Sequence, residues 1–152
     1  MTTKIPPPIV AVVTAFLMWA ISKLVPLGLF DLPMDMQVWV FAFFAFTGLA
    51  IMFTGVLAFR QSKTTINPFQ PEQASSLVLT GIYQKTRNPM YLGMLLILSG
   101  WAFLLGSAVA FLALPVFVAF MNKFQIVPEE KALEQLFGHE FSDYLLSVRR
   151  WI

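Results

Sequence analysis

The 152 residues are 58% hydrophobic and 12% charged, about half the charged share of an ordinary soluble domain, so water is excluded as the solvent for most of this chain. A net charge of +2 without a basic block excludes the usual nucleic-acid partner. Zero Cys and one His exclude disulfides, thiolate metal sites, Cys nucleophiles and a His-based metal cluster, and the lack of a Gly-rich phosphate loop or G-x-G-x-x-G excludes a soluble Rossmann-type methyltransferase or dehydrogenase.

Residues 1–7 are a short polar start with Lys4 and a proline run, Pro6-Pro7-Pro8. Proline suits the first turn of a helix, where its missing N–H is not needed. Residues 8–29 are almost wholly apolar, enough to cross about 30 Å of hydrocarbon at about 1.5 Å per residue. A signal peptide would have an apolar core of about 7–15 residues and a small-residue cleavage site. This run is longer and ends at Lys23-Leu24-Val25-Pro26, with Pro26 placed to kink its far end. Residues 30–36 form a short acidic turn with Asp31, Pro33 and Asp35. Residues 38–59 are the second span, whose Gly48 and Gly55 allow a neighbouring helix to approach closely.

Residues 60–88 are the long polar segment, with Arg60, Lys63, Lys85 and Arg87 set against Glu72 and turn signals at 64–68 and 70–72. A loop of this length without low complexity reads as functional. Residues 90–105 are a third, short apolar stretch; Gly106-Ser107 turns it into a fourth, 108–127, which contains Pro115. From Pro128 on, acids and bases alternate with Leu133, Leu136, Phe137, Phe141, Tyr144 and Leu145 at three- and four-residue steps. This tail, 128–152, reads as an amphipathic helix pair broken near Gly138, lying on the membrane surface or capping the bundle. The expected fold is therefore a single all-α integral-membrane domain over 1–152. It has about four transmembrane helices, the third and fourth being full spans or the arms of a helical hairpin, plus the C-terminal amphipathic helices. The Lys and Arg residues gather at the start, in the 60–88 loop and in the tail, so both termini are expected in the cytoplasm and the loop and tail share one side.

The chemistry concentrates in residues 80–93, Thr-Gly-Ile-Tyr-Gln-Lys-Thr-Arg-Asn-Pro-Met-Tyr-Leu-Gly. The stretch turns cationic at Lys85 and Arg87, breaks at Asn88-Pro89 and runs into the third apolar stretch. Each part has an ordinary alternative. Lys85 and Arg87 suit a span end facing the cytoplasm, Tyr83 and Tyr91 an interfacial aromatic belt. Asn88-Pro89 is also a helix start, with Asn capping and Pro at the first position, and Glu129 and Glu130 are also first-turn partners of a helix dipole. Gln125 lies one turn before Glu129 on the same face, His139 reads as an exposed tail residue, and Phe137, Phe141 and Tyr144 read as packing.

Taken together, Thr80-Gly81-Ile82-Tyr83, Arg87-Asn88-Pro89-Met90-Tyr91-Leu92-Gly93, Pro128-Glu129-Glu130, Leu133, Phe137-Gly138-His139-Glu140-Phe141, Tyr144 and Arg150-Trp151 resemble the isoprenylcysteine carboxyl methyltransferase-like family, relatives of the phospholipid N-methyltransferases. The resemblance runs from about residue 64 onward; the first two spans match only in being apolar. It implies an integral-membrane methyltransferase that uses S-adenosylmethionine and takes a lipophilic acceptor from the bilayer. It assigns the cofactor pocket to Gly81, Ile82, Tyr83, Arg87, Asn88, Pro89, Tyr91, Leu92, Gly93, Glu129 and Glu130, with Arg87 and Glu130 as the catalytic pair and no metal. Eukaryotic members commonly have His where this chain has Asn88; Asn keeps hydrogen bonding but does not titrate near neutral pH.

Methyl transfer is an in-line displacement at a sulfonium carbon, so the protein must mainly align donor and acceptor and exclude water. A carboxylate acceptor is already ionised and needs a cationic anchor, for which Arg87 is the best candidate. An amine acceptor must lose a proton, which Glu130 is suited to accept. Carboxyl O-methylation is the favoured reading, with phospholipid or small-amine N-methylation as the alternative. A small transporter or assembly subunit competes from another class, but the apolar stretches carry charge only near their ends, at Lys23 and Lys123, where a transport path would place it inside. A membrane reductase would need a nicotinamide site that the chain is too short to build.

Overall fold

The computed structural model describes residues 5–25, 28, 32–61 and 76–152. The expected turns at 64–68 and 70–72, the Pro26 kink, and the charges Lys4, Asp31, Lys63 and Glu72 lie outside the described residues. The described chain is all-helical. Its elements are α1 (Pro7–Leu24), α2 (Met34–Gln61), a 3-10 turn (Gly81–Gln84), α3 (Pro89–Leu105), α4 (Ala108–Phe111), α5 (Ala113–Met121), a π-turn (Asn122–Ile126), α6 (Val127–Phe137) and α7 (His139–Ser147).

Among the described residues, three helical rods are long and apolar enough to cross a membrane, α1, α2 and the combined Ala108–Phe137, while α3 is a shorter apolar helix. The chain is thus a multi-pass membrane protein by its helices. α1 starts at Pro7, with a proline in its first turn as expected, and ends at Leu24, five residues short of the expected limit. Val25 is extended, at φ −125° and ψ 88°, because the residue before a proline is pushed out of helical geometry. α2 overruns its expected bounds at both ends. Its 28 residues make a rod of about 42 Å, longer than the hydrocarbon layer.

α3 is the shortest of the apolar helices that pass through the bundle, yet it is the central one. It packs most extensively on α2 and also meets α1, α4 and α5. Tyr91, Leu92, Gly93, Met94, Leu98, Gly100 and Ala102 are all buried along it. Met18 of α1, Ala110 of α4, Phe117 and Met121 of α5 and Ile126 of the π-turn complete the core around it. α1 and α2 instead turn Phe16, Leu17, Trp39, Phe43, Phe46 and Phe53 outward, as lipid-facing helices do. The α2–α3 seam is made of glycines: a Cβ on Gly48 would stand 2.5 Å from the Gly93 carbonyl oxygen, and one on Gly100 would stand 2.7 Å from Phe44 Cβ. Close approach through small residues is the usual way helices associate where lipid removes the hydrophobic driving force. A polar tie joins α3 to α1 as well, the Trp101 indole donating to the Ala15 carbonyl at 3.0 Å.

The last long rod does not break where Pro128 changes the composition. Pro128 has no N–H to give and its ring crowds the carbonyl four residues earlier. The helix accommodates this by widening just before it: the Val127 N–H reaches back to the Asn122 carbonyl, five residues away, in the π geometry. Helical structure then runs on to Phe137 and stops at Gly138, at φ 53°. The expected break near Gly138 is where the structure has it, and the fourth apolar stretch, expected over 108–127, continues as helix into the tail.

Candidate functional site

The start of α1, the end of α2, the start of α3 and the α6–α7 pair meet at one end of the bundle. Gly28 and Ser107 form an isolated antiparallel bridge at the turns that join these helices on the opposite side. Residues 76–88 return over the end of α2, where Val78 and Tyr83 pack on Ala58 and the Tyr83 ring meets Phe59 edge-on at 5.3 Å. The 3-10 turn begins at Gly81 with φ +63°, a left-handed conformation that glycine adopts without strain. Thr86 is buried, and its hydroxyl accepts the Asn88 N–H at 3.2 Å while donating to the Arg150 carbonyl at 3.4 Å. Pro89 occupies the first turn of α3 and the Asn88 carbonyl accepts the Leu92 N–H at 2.9 Å, so Asn88-Pro89 does start a helix. The Asn88 side chain does not cap it, contrary to expectation. Its amide donates instead to the Arg150 carbonyl at 2.9 Å.

Arg87 is held on several sides. Its backbone N–H donates to the Arg149 carbonyl at 3.1 Å, its Nη1 to the Leu145 carbonyl at 3.2 Å, and its Nη2 pairs with Glu130 Oε1 at 3.1 Å. Its Nε is buried with no partner among the described residues. Glu130 also receives Arg150, from Nε to Oε1 at 3.1 Å and from Nη2 to Oε2 at 2.5 Å, so both its oxygens meet guanidinium donors. Glu129 is the preceding residue, turned about 100° around the helix axis. It meets a different partner, accepting the Tyr91 hydroxyl at 2.6 Å. Among the described residues no cation pairs with Glu129. The Tyr144 hydroxyl donates to the Tyr83 carbonyl at 2.7 Å, fastening α7 over the 3-10 turn. Burial is the main cause that pushes both phenols above their usual range, with the nearby Arg87 opposing it at Tyr144, so both remain protonated donors.

These groups enclose a cavity of about 380 Å³, within the range of roughly 300–1,000 Å³ typical of small-molecule sites. Its polar wall is Tyr83, Arg87, Asn88, Tyr91, Glu129, Glu130 and Tyr144; its apolar wall is drawn from Pro7 and Pro8 of α1, Met52, Val56 and Phe59 of α2, Met94 of α3 and Ile126, Leu133 and Phe141 beyond. Such a space suits a ligand with a charged part and a hydrocarbon part. Among the described residues no group of three or more His, Cys, Asp or Glu is placed to hold a metal ion.

Of the residues singled out from sequence, Tyr83, Arg87, Asn88, Pro89, Tyr91, Glu129 and Glu130 line this cavity; Gly81, Ile82, Leu92 and Gly93 do not. Gly81 is exposed at the turn, Leu92 is buried, and Gly93 faces Gly48 and Met52 in the α2–α3 seam. His139 is exposed at the start of α7. Gln125 is buried and donates to the Ile5 carbonyl at 2.8 Å, which pins the start of α1 beside the cavity. Sequence reasoning missed the contribution of α1 and α2 to the wall and the Tyr144 hydroxyl. It also missed Arg150 as a partner of Glu130, although Tyr144 and Arg150 both stand in the motif.

The sequence model of the phospholipid methyltransferase family matches residues 36–140. An uncharacterized protein of Haemophilus influenzae is 46% identical over 63 residues, which is 41% of this chain and 100% of that protein. No solved structure matches.

Proposed function

Because this chain belongs to the phospholipid methyltransferase family, we propose that it is a membrane methyltransferase that binds S-adenosylmethionine in the cavity at the start of α3 and methylates a lipophilic acceptor. The observation that carries this reading is Glu129, a carboxylate without a cation, set with Tyr91 into the wall of a cavity that is otherwise largely apolar. An unpaired buried carboxylate is costly unless a cationic ligand completes it. The Tyr83 and Tyr91 rings suit a sulfonium or an adenine face, and Arg87 brings a guanidinium to the same wall. These residues fit the cofactor expected of the family. When bound, S-adenosylmethionine supplies an electrophilic methyl group on sulfur.

Glu129, Tyr91, Tyr83 and Arg87 hold the cofactor in this reading, and the Met52, Val56 and Phe59 wall takes the hydrocarbon part of the acceptor and keeps water out. The acceptor is proposed to be an amine. Arg87, the anchor that a carboxylate acceptor would need, already faces Glu130 and the Leu145 carbonyl, which weakens the case for carboxyl O-methylation. The proton that an ammonium must lose is assigned to a Glu129 oxygen, since Glu130 has both oxygens on guanidinium donors. The cavity end, with Arg60, Lys85, Arg149 and Arg150, is proposed to face the cytoplasm.

Calorimetric titration of the detergent-purified protein with S-adenosylhomocysteine tests the reading. Saturable binding is expected, weakened at least tenfold, about 1.4 kcal/mol, in Glu129→Gln, which removes the charge and keeps the hydrogen bond to Tyr91. Absence of binding in a folded, monodisperse, lipid-supplemented sample would overturn it. Label transfer from methyl-labelled cofactor to amine-headed lipids rather than fatty acids separates the acceptors. The chain has no Cys, so single Cys residues at positions 85 and 36, labelled with an impermeant maleimide in oriented vesicles, report which end faces the cytoplasm.

A further inference from the structure

Glu130 lines the cavity, but one of the two side chains that fix it does not. Arg150 lies outside the wall and grips the Glu130 carboxylate in two places, Nε on Oε1 at 3.1 Å and Nη2 on Oε2 at 2.5 Å. A two-point guanidinium contact fixes the plane of a carboxylate as well as its position. Arg150 belongs to a short non-helical strap after α7, and the strap's backbone is equally engaged. The Arg149 carbonyl accepts the Arg87 N–H at 3.1 Å, and the Arg150 carbonyl accepts from Asn88 Nδ2 at 2.9 Å and from Thr86 Oγ1 at 3.4 Å. The Trp151 indole donates to Asn122 Oδ1 at 3.0 Å, seating the strap on the π-turn. Three consecutive residues therefore gather the approach to α3, the π-turn and α6, and none of these bonds lies within a helix.

We infer that residues 149–151 form a clasp that assembles the polar wall of the cavity, and that Arg150 is a positioning residue acting through Glu130. Glu130 in turn holds the Arg87 guanidinium in the wall. Loss of Arg150 leaves Glu130 with a single contact and lets carboxylate and guanidinium turn together. The inference rests on the reading of the cavity as a cofactor site and names the device that orders it.

The test is a double-mutant cycle on the full chain in detergent, using Arg150→Ala, Arg150→Lys, Glu130→Gln and the Arg150→Ala/Glu130→Gln pair. Affinity for S-adenosylhomocysteine and the ligand-free thermal midpoint are both measured. Arg150→Ala is expected to weaken binding at least tenfold. Arg150→Lys recovers part of the loss, since a point charge reaches the carboxylate without fixing its plane. The double variant binds no worse than Glu130→Gln alone, because Arg150 has no other route to the ligand. Wild-type affinity in Arg150→Ala, or losses that multiply in the double variant, would overturn the inference. If the wild-type protein binds no S-adenosylhomocysteine, the methyltransferase reading fails separately. The thermal midpoints then judge the clasp: non-additive shifts uphold it and additive shifts overturn it.

Discussion

The α2–α3 seam and the polar end at the start of α3 join overlapping parts of the chain by opposite means. The seam has glycine against backbone at Gly48 and Gly93 and against Phe44 at Gly100. Its specificity is steric, and it works at a depth where no water competes. The polar end has Arg87, Glu130 and Arg150 in one ion-pair cluster, with Thr86, Asn88 and Tyr144 adding bonds to carbonyls. There water does compete, and a lone surface pair would contribute only about 0–1 kcal/mol, so the hold depends on several partly buried contacts sharing the same groups. Shape holds the helices where charge would be too costly, and charge holds them where shape alone would be too loose.

The comparison is broken most severely from the seam. Gly93→Val places methyl groups against the Gly48 carbonyl, which belongs to helical backbone and has no room to move. The cost is expected at or above the upper end of the roughly 1–3 kcal/mol of ordinary overpacking, read as loss of a monodisperse peak or the largest fall in thermal midpoint. Arg87→Ala comes next. It leaves the partly buried Glu130 with one cation and the Leu145 carbonyl without its donor, at a cost of about 3 kcal/mol; the protein still inserts, and S-adenosylhomocysteine binding is lost in calorimetry. Tyr144→Phe removes one buried bond to the Tyr83 carbonyl and is expected to cost about 1 kcal/mol, with proteolytic cutting near residue 81 as the sensitive readout. Ser107→Ala should have the smallest effect and the opposite sign. Its hydroxyl is buried without a partner among the described residues at the other end of the bundle, so its removal leaves the thermal midpoint unchanged or slightly raised. A Ser107→Ala loss as large as that of Tyr144→Phe would mean that the two ends are not held differently.

Much of this was legible in the sequence, because hydropathy over twenty residues and a proline at a helix start act locally. The apolar runs, the α3 start at Asn88-Pro89 and the break at Gly138 all follow from residues read in order. What was not legible depends on which residue meets which. Gly93 reads alike whether a ligand or a helix approaches its backbone, and here the approach is by α2. Glu129 and Glu130 read as a pair, yet a single helical step sends one to Tyr91 and the other to two arginines. The widened turn before Pro128 has no signature beyond the proline itself. The second apolar wall comes from α1 and α2, whose residues carry no motif and enter the site only through packing. Arg150 stood in the motif, but nothing local says that its partner lies 20 positions earlier.

Gln125 donates to a carbonyl 120 residues upstream, and the clasp at residues 149–151 reaches back to Thr86 and Asn88. The cavity is therefore built from the first described helix and from residues synthesised much later. At about 5–20 residues per second, α1, α2 and α3 wait for seconds between their own synthesis and the arrival of Arg150. During that interval Arg87 and Asn88 lack the carbonyls of Arg149 and Arg150 as partners, and the nascent chain has its first apolar helices but not the finished polar wall. Synthesis of the first apolar helices and completion of the polar wall are thus separate events in the life of each molecule.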